Sequence, residues 1–96
     1  MPYDDVSSDS LPGTGQGAAI GPARAFSISL RGTWTGTVTV QRKVPAGTWH
    51  DVKDASWTAN VEALVGVGVV PELARISFTR TSGQLDYTIK AGEALP

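Results

Sequence analysis

Few residues in this chain have both the type and the spacing that chemistry requires. His50 is the single histidine and stands beside Asp51. An imidazole next to a carboxylate can act as a base or a metal ligand when a nucleophile or further ligands converge on it. No such companions are spaced around it, so an exposed polar position on a hairpin is the plainer expectation. Gly13-Thr14-Gly15-Gln16-Gly17 has the glycine content of a phosphate-cradling loop. Those loops work by joining a strand to a helix N-terminus. Neither is expected here, so the pentapeptide reads as part of an irregular segment. Asp4, Asp5 and Asp9 could hold a hard cation only if the chain wrapped around it. The six aspartates and three glutamates are scattered, with no spacing that pairs two of them across a cleft. The expectation is no catalytic, cofactor-binding or metal-binding residue, and no enzyme.

The basic residues Arg31, Arg42, Lys43, Arg75 and Arg80 fall on several expected strands. Acids lie near them, and the net charge of the chain is −1. A nucleic-acid groove or an anionic membrane surface would call for a stronger positive field. Neither partner is expected, and the plain reading is a salt-bridged surface or subunit contacts. The chain has no cysteine, which removes disulfides and thiolate metal sites. Its start, Met1-Pro2-Tyr3-Asp4-Asp5, is acidic where a secretory signal would be basic and then apolar.

Three tryptophans could stack on sugars or bases. Trp34 shares its phase with Val38 and Val40, and Trp57 with Val61, so both are assigned to the core. Trp49 shares its phase with Asp51 and is the best candidate for an exposed contact.

The elements that must carry these residues are strands. Thr33 to Val40 alternates strictly, with threonine at every odd position and Trp34, Gly36, Val38 and Val40 at the even ones. A strand has a side-chain period of two, so one face is a threonine ladder and the other is mainly apolar. Phe26, Ile28 and Leu30 define an earlier strand ending at Arg31-Gly32, and the threonine strand runs on to Lys43. Val44 to Thr48 reads as a turn, with Trp49 to Val52 returning beside it. Ser56 to Leu64 and Leu73 to Thr81 are further strands. Ser82-Gly83 is a turn signal before a last strand through Leu85, Tyr87 and Ile89. Pro71 to Ala74 could form one helical turn. The sum is an all-β chain: a small antiparallel sandwich or barrel of about six strands.

Residues 1–24 differ from the rest. Gly13, Gly15, Gly17, Gly21, Pro2, Pro12 and Pro22 fall here, with few bulky apolar residues. Such a segment cannot offset its ordering entropy alone. We expect an extended arm over 1–24, held by a neighbouring subunit, ahead of a β domain over 25–96. So small a core, without disulfides or metal, favours oligomerisation. Leu64-Val65-Gly66-Val67-Gly68-Val69-Val70 would be an aggregation hazard as a free edge, so a neighbour is expected to cover it.

Three stretches carry a resemblance. They are Phe26-Ser27-Ile28-Ser29-Leu30-Arg31-Gly32-Thr33-Trp34-Thr35-Gly36-Thr37-Val38-Thr39-Val40-Gln41-Arg42, then Gly47-Thr48-Trp49-His50-Asp51-Val52, then Ala74 through Thr81-Ser82-Gly83 to Ile89. Together they resemble small β-rich structural proteins of tailed bacteriophages over roughly residues 26–90. The arm lies outside the match. In those proteins a Gly-x-aromatic-x-Gly-x-Val strand ending in Gln-Arg leads into a hairpin with Trp-x-Asp-Val, and a late strand pair turns at Thr-Ser-Gly. The resemblance implies a virion component with no catalytic residue or cofactor. Its expected form is a head decoration (cement) protein bound to the major capsid protein and to copies of itself, with trimers one arrangement it allows. A neck, tail or fibre component and a carbohydrate-binding module are the alternatives.

Overall fold

The computed structural model describes residues 6–43, 47–66 and 72–91. The expected turn at 44–46, the second half of the Leu64–Val70 stretch, and Asp4 and Asp5 lie outside the described residues. Every described element is a strand: β1 (Val6–Leu11), β2 (Gly15–Gln16), β3 (Ile20–Ala23), β4 (Ala25–Lys43), β5 (His50–Trp57), β6 (Val61–Gly66) and β7 (Glu72–Ala91). The all-β, antiparallel reading is therefore right, with seven strands instead of about six.

Two long strands organise the chain. β4 and β7 pair antiparallel along their whole length, from Phe26 opposite Ala91 to Lys43 opposite Leu73. Every other strand attaches to one of them. β1, β2 and β3 follow one another along the far edge of β7, and β5 and β6 along the far edge of β4. The pair is bent back on itself. Ala23 sits opposite Glu72 at the start of β7, whereas Phe26, three residues on, sits opposite Ala91 at its end. The two ends of β7 must therefore lie close together. One sheet becomes two layers, with strands that pass from one to the other through a corner. Layer A is β1, the second half of β7, the first half of β4, and β6. Layer B is β2 and β3, the first half of β7, the second half of β4, and β5.

The corner explains where the sequence reading went astray. Gly32 and the Ser82-Gly83 pair were expected to end strands, with a hairpin turn at Ser82-Gly83. Instead both strands run through. At the corner the register slips by one residue: Thr35 faces Ser82, but Gly36 faces Arg80. Thr81 is the extra residue, and a one-residue bulge bends a strand and reverses its side-chain phase. That reversal is visible in β7, where Ile76 and Phe78 are buried on even positions and Leu85, Tyr87 and Ile89 on odd ones. β4 keeps one phase throughout, burying Phe26, Ile28, Leu30, Trp34, Val38 and Val40. The bend is tight enough to exclude side chains. A Cβ on Gly36 would lie 2.1 Å from the Thr79 carbonyl oxygen, and one on Gly83 2.2 Å from that of Thr33. Both residues also hold positive φ, 139° and 80°, where a side chain is strained.

Other expected boundaries also shift. Leu73 and Ala74 are strand residues, not a helical turn. The expected strand Ser56 to Leu64 is interrupted at 58–60, between β5 and β6. β5 bulges between its pairings of Asp51 with Gln41 and Ser56 with Thr39, which lets Val52 and Ala55 both reach the core.

The buried side chains form one continuous cluster between the layers. Burial of each large one contributes about 1.5–3 kcal/mol. Ile20, from the segment expected to be an arm, is fully buried in that cluster, and Leu11 and Ala23 pack against it. The described part of that segment thus has its partner in β7 of the same chain. Gly36→Ala is expected to destabilise the protein by about 1–3 kcal/mol from backbone strain alone. Gly13→Ala, at a site with nothing within 4 Å, should leave thermal unfolding nearly unchanged. Equal melting temperatures for the two variants would refute the corner's steric basis.

Candidate interaction surfaces

The residues that looked chemical in the sequence are engaged separately. His50 is exposed, and its Nε2 lies 3.1 Å from Thr48 Oγ1. Asp51 accepts a hydrogen bond from the Gln41 amide at 3.0 Å. The two neighbours therefore serve different partners. In the glycine-rich pentapeptide, Gly15 and Gln16 form β2 opposite Phe78 and Ser77. Gly17 N–H donates to the Ile76 carbonyl at 2.8 Å. A Cβ at Gly17 would stand 2.2 Å from the Tyr87 hydroxyl, so this glycine admits the tyrosine ring. Only the middle of the pentapeptide is strand, and the next element is the strand β3. Asp9 is exposed and accepts the N–H of Ser10. Among the described residues no three His, Asp or Glu side chains converge as metal ligands would.

Trp34 is in the core as its phase predicts, whereas Trp57 and Trp49 are both half-buried, and Trp57 lies on a different strand from Val61. Trp34 is buried and packs edge-on against Phe78, with centroids 5.6 Å apart and planes at 86°. Its indole N–H donates to Asn60 Oδ1 at 2.7 Å, and Asn60 in turn donates to the Gly32 carbonyl at 3.0 Å. That chain ties the β5–β6 link to the corner. Trp57 is half-buried against the core. Trp49 is half-buried on the outer side, with the Arg75 guanidinium 4.2 Å and the Lys43 ammonium 5.2 Å from its ring centroid. A ring already engaged by two cations offers a sugar a less open platform.

The other basic residues also act locally. Arg42 pairs at 2.9 Å with Glu72, the one buried charged side chain among the described residues. Arg31 donates to Thr88, and Arg80 to the Gly83 carbonyl. Burial lowers the Arg75 pKa somewhat from its ordinary value.

The outer faces are ordered as cross-strand rows, which sequence alone could not align. On layer B, Ser56, Thr39, Ser77 and Gln16 stand in line across four strands. Thr39 and Ser56 are bonded at 2.8 Å, and Gln16 reaches Ser77 at 3.5 Å. Next to it, Asp51, Gln41 and Arg75 are linked, with Arg75 donating to Gln41 at 2.9 Å. On layer A, one row runs Val6, Lys90, Ser27, Leu64 and the next Ser8, Thr88, Ser29, Glu62. A shallow depression of ≈ 360 Å³ lies over these rows, its lining including Ile28, Ala63 and Leu64 beside the hydroxyls of Ser27, Ser29 and Thr88 and the charges of Glu62 and Lys90.

The chain is thus an all-β, antiparallel fold whose outer faces are largely polar, with many of their side chains bonded to one another. No protein-family model, no curated protein and no solved structure matches the chain.

In a third layer A row, Asp86 holds its carboxyl below the ordinary range. The Ser10 hydroxyl donates to it at 2.6 Å, followed in effect by the Gln84 amide and, against a little desolvation, the charge of Arg31. A depressed carboxyl favours the folded state above its unfolded pKa and loses that contribution as pH falls through its folded value. Ser10→Ala should raise the Asp86 pKa toward the ordinary value. An NMR carboxyl titration checks this, and an unchanged pKa would contradict the assignment.

Proposed function

We propose that this chain is a structural component of a bacteriophage virion. In this reading it is a head decoration protein that folds in the host cytoplasm and binds the major capsid protein and copies of itself. The supporting observation is where the phage-like residues fall. Gly32, Trp34 and Gly36 of the first stretch and Thr81-Ser82-Gly83 of the last meet at the corner. A pattern that bends two paired strands together is more specific than hairpin chemistry, which any β protein shares. The surfaces point the same way. Their polar groups are bonded in rows along flat strands, an arrangement suited to contact over an area. Binding would then rest on buried apolar area and backbone hydrogen bonds, with little net charge.

The test is co-sedimentation of the purified chain with empty heads of the phage that encodes it. Binding in many copies over the shell is the expected outcome. A few copies at one vertex would reassign it to the neck or tail, and no binding to heads or tails would refute the virion reading. Deleting all of 1–24 would remove Ile20 from the core, so a form lacking only residues 1–5 is the better probe of the arm. Loss of head binding in that form would place the contact in those residues; full binding would exclude them.

A further inference from the structure

The four sheet edges are treated differently. In layer B, β5 is bulged and carries His50, Asp51, Lys53 and Asp54. β2 and β3 are short, and β3 is shifted in register and contains Pro22. Bulges, charges, short strands and proline all discourage another strand from pairing with an edge. In layer A neither edge is bulged or interrupted by proline. β1 pairs with β7, and β6 with β4, over six residues each without a register shift. Each carries one charge, Asp9 and Glu62. Among the described residues no strand pairs with their outer sides. The only large hydrophobic side chains exposed among the described residues are Val6 on β1, at 49%, and Leu64 on β6, at 56%.

Those two residues are the two ends of a single cross-strand row, Val6–Lys90–Ser27–Leu64. Strand directions alternate across layer A from β1 to β7 to β4 to β6. A second copy placed with its β1 beside β6 therefore continues the antiparallel alternation. It also continues the rows. The next copy's Val6 falls beside Leu64, and its Ser8 beside Glu62.

We propose that copies of this chain associate head to tail, β6 of one pairing with β1 of the next in this register. The contact takes both exposed apolar side chains out of water together and gives the Glu62 carboxylate a hydroxyl donor. It supplies backbone partners to both open edges. A two-fold pairing of β6 with β6 would cover Leu64 but leave Val6 and the β1 edge exposed. Head-to-tail contacts are heterologous and close into a ring when the rotation per copy permits. This deepens the self-association part of the proposed function and requires no capsid, so it stands or falls separately from the head-binding test.

The chain has no cysteine, which makes engineered thiols selective. Val6→Cys and Leu64→Cys, both at exposed positions, are prepared separately and treated with a short bismaleimide, alone and mixed. Thr37→Cys, on the exposed face of layer B, is the control. The expected result is a covalent dimer in the Val6→Cys plus Leu64→Cys mixture at several-fold the yield of either alone or of any mixture with the control. The double variant should give a ladder or a closed ring. Cross-linking of Leu64→Cys alone as efficiently as the mixture would establish two-fold pairing and overturn the proposal. So would a monomer mass in sedimentation at the highest soluble concentration with no selective cross-link.

Discussion

The β4–β7 ladder is the interaction on which everything else in this protein hangs. Its pairing runs from one layer to the other, interrupted only by the one-residue slip at Thr81. Among the described residues every other strand pairs only with one of these two. The corner makes that continuity possible. A straight ladder of this length would be a ribbon with both faces wet, and it could bury nothing. Bending it at Gly36 and Gly83 folds its apolar face inward, so Phe26, Ile28, Ile89 and Tyr87 of one half can meet Val38, Val40, Ile76 and Phe78 of the other. The bulge at Thr81 is needed for the same reason. Without the phase reversal, the second half of β7 would present Asp86, Thr88 and Lys90 to the core.

From this arrangement follows a division between the inside and the outer faces. The inner positions are filled by one apolar cluster, closed at its rim by the Arg42–Glu72 pair and the Trp34–Asn60 bond. The outer positions carry short hydroxyls and amides interspersed with charged side chains such as Arg31, Asp51, Arg75 and Asp86, several of which bond to neighbours along or between the rows. The two layers differ at their edges. Layer B is guarded by a bulge, charges and a proline, and layer A is regular with an apolar side chain at each margin.

The functional proposal depends on the corner more than on any single surface residue. In the sequence Gly32 reads as a strand end, Gly36 as a position inside a strand, and Ser82-Gly83 as a turn. Their actual position, facing each other across two continuous strands, gives the pattern a structural purpose. His50 and Asp51, neighbours on β5, bond to different side chains, and Gly15-Gln16 of the glycine-rich segment pairs with β7.

Much of the fold was legible in the residues themselves. Period-two alternation is a local property, so the strands, the core assignment of Trp34, and the outward placement of Trp49 could all be read from spacing. The even phase of Ile76 and Phe78 and the odd phase of Leu85, Tyr87 and Ile89 were equally visible. What they could not reveal is whether the change of phase marks two strands or one strand with a bulge. Glycine and serine serve both purposes, and only the pairing partner decides. The segment before residue 24 shows the same limit: its composition promises no core of its own, and its described part pairs with the edge of β7, a strand far along the chain. Local chemistry thus determined which way each side chain must face. Long-range backbone pairing decided which strands are continuous, which edges stay open, and which surfaces the protein offers to others.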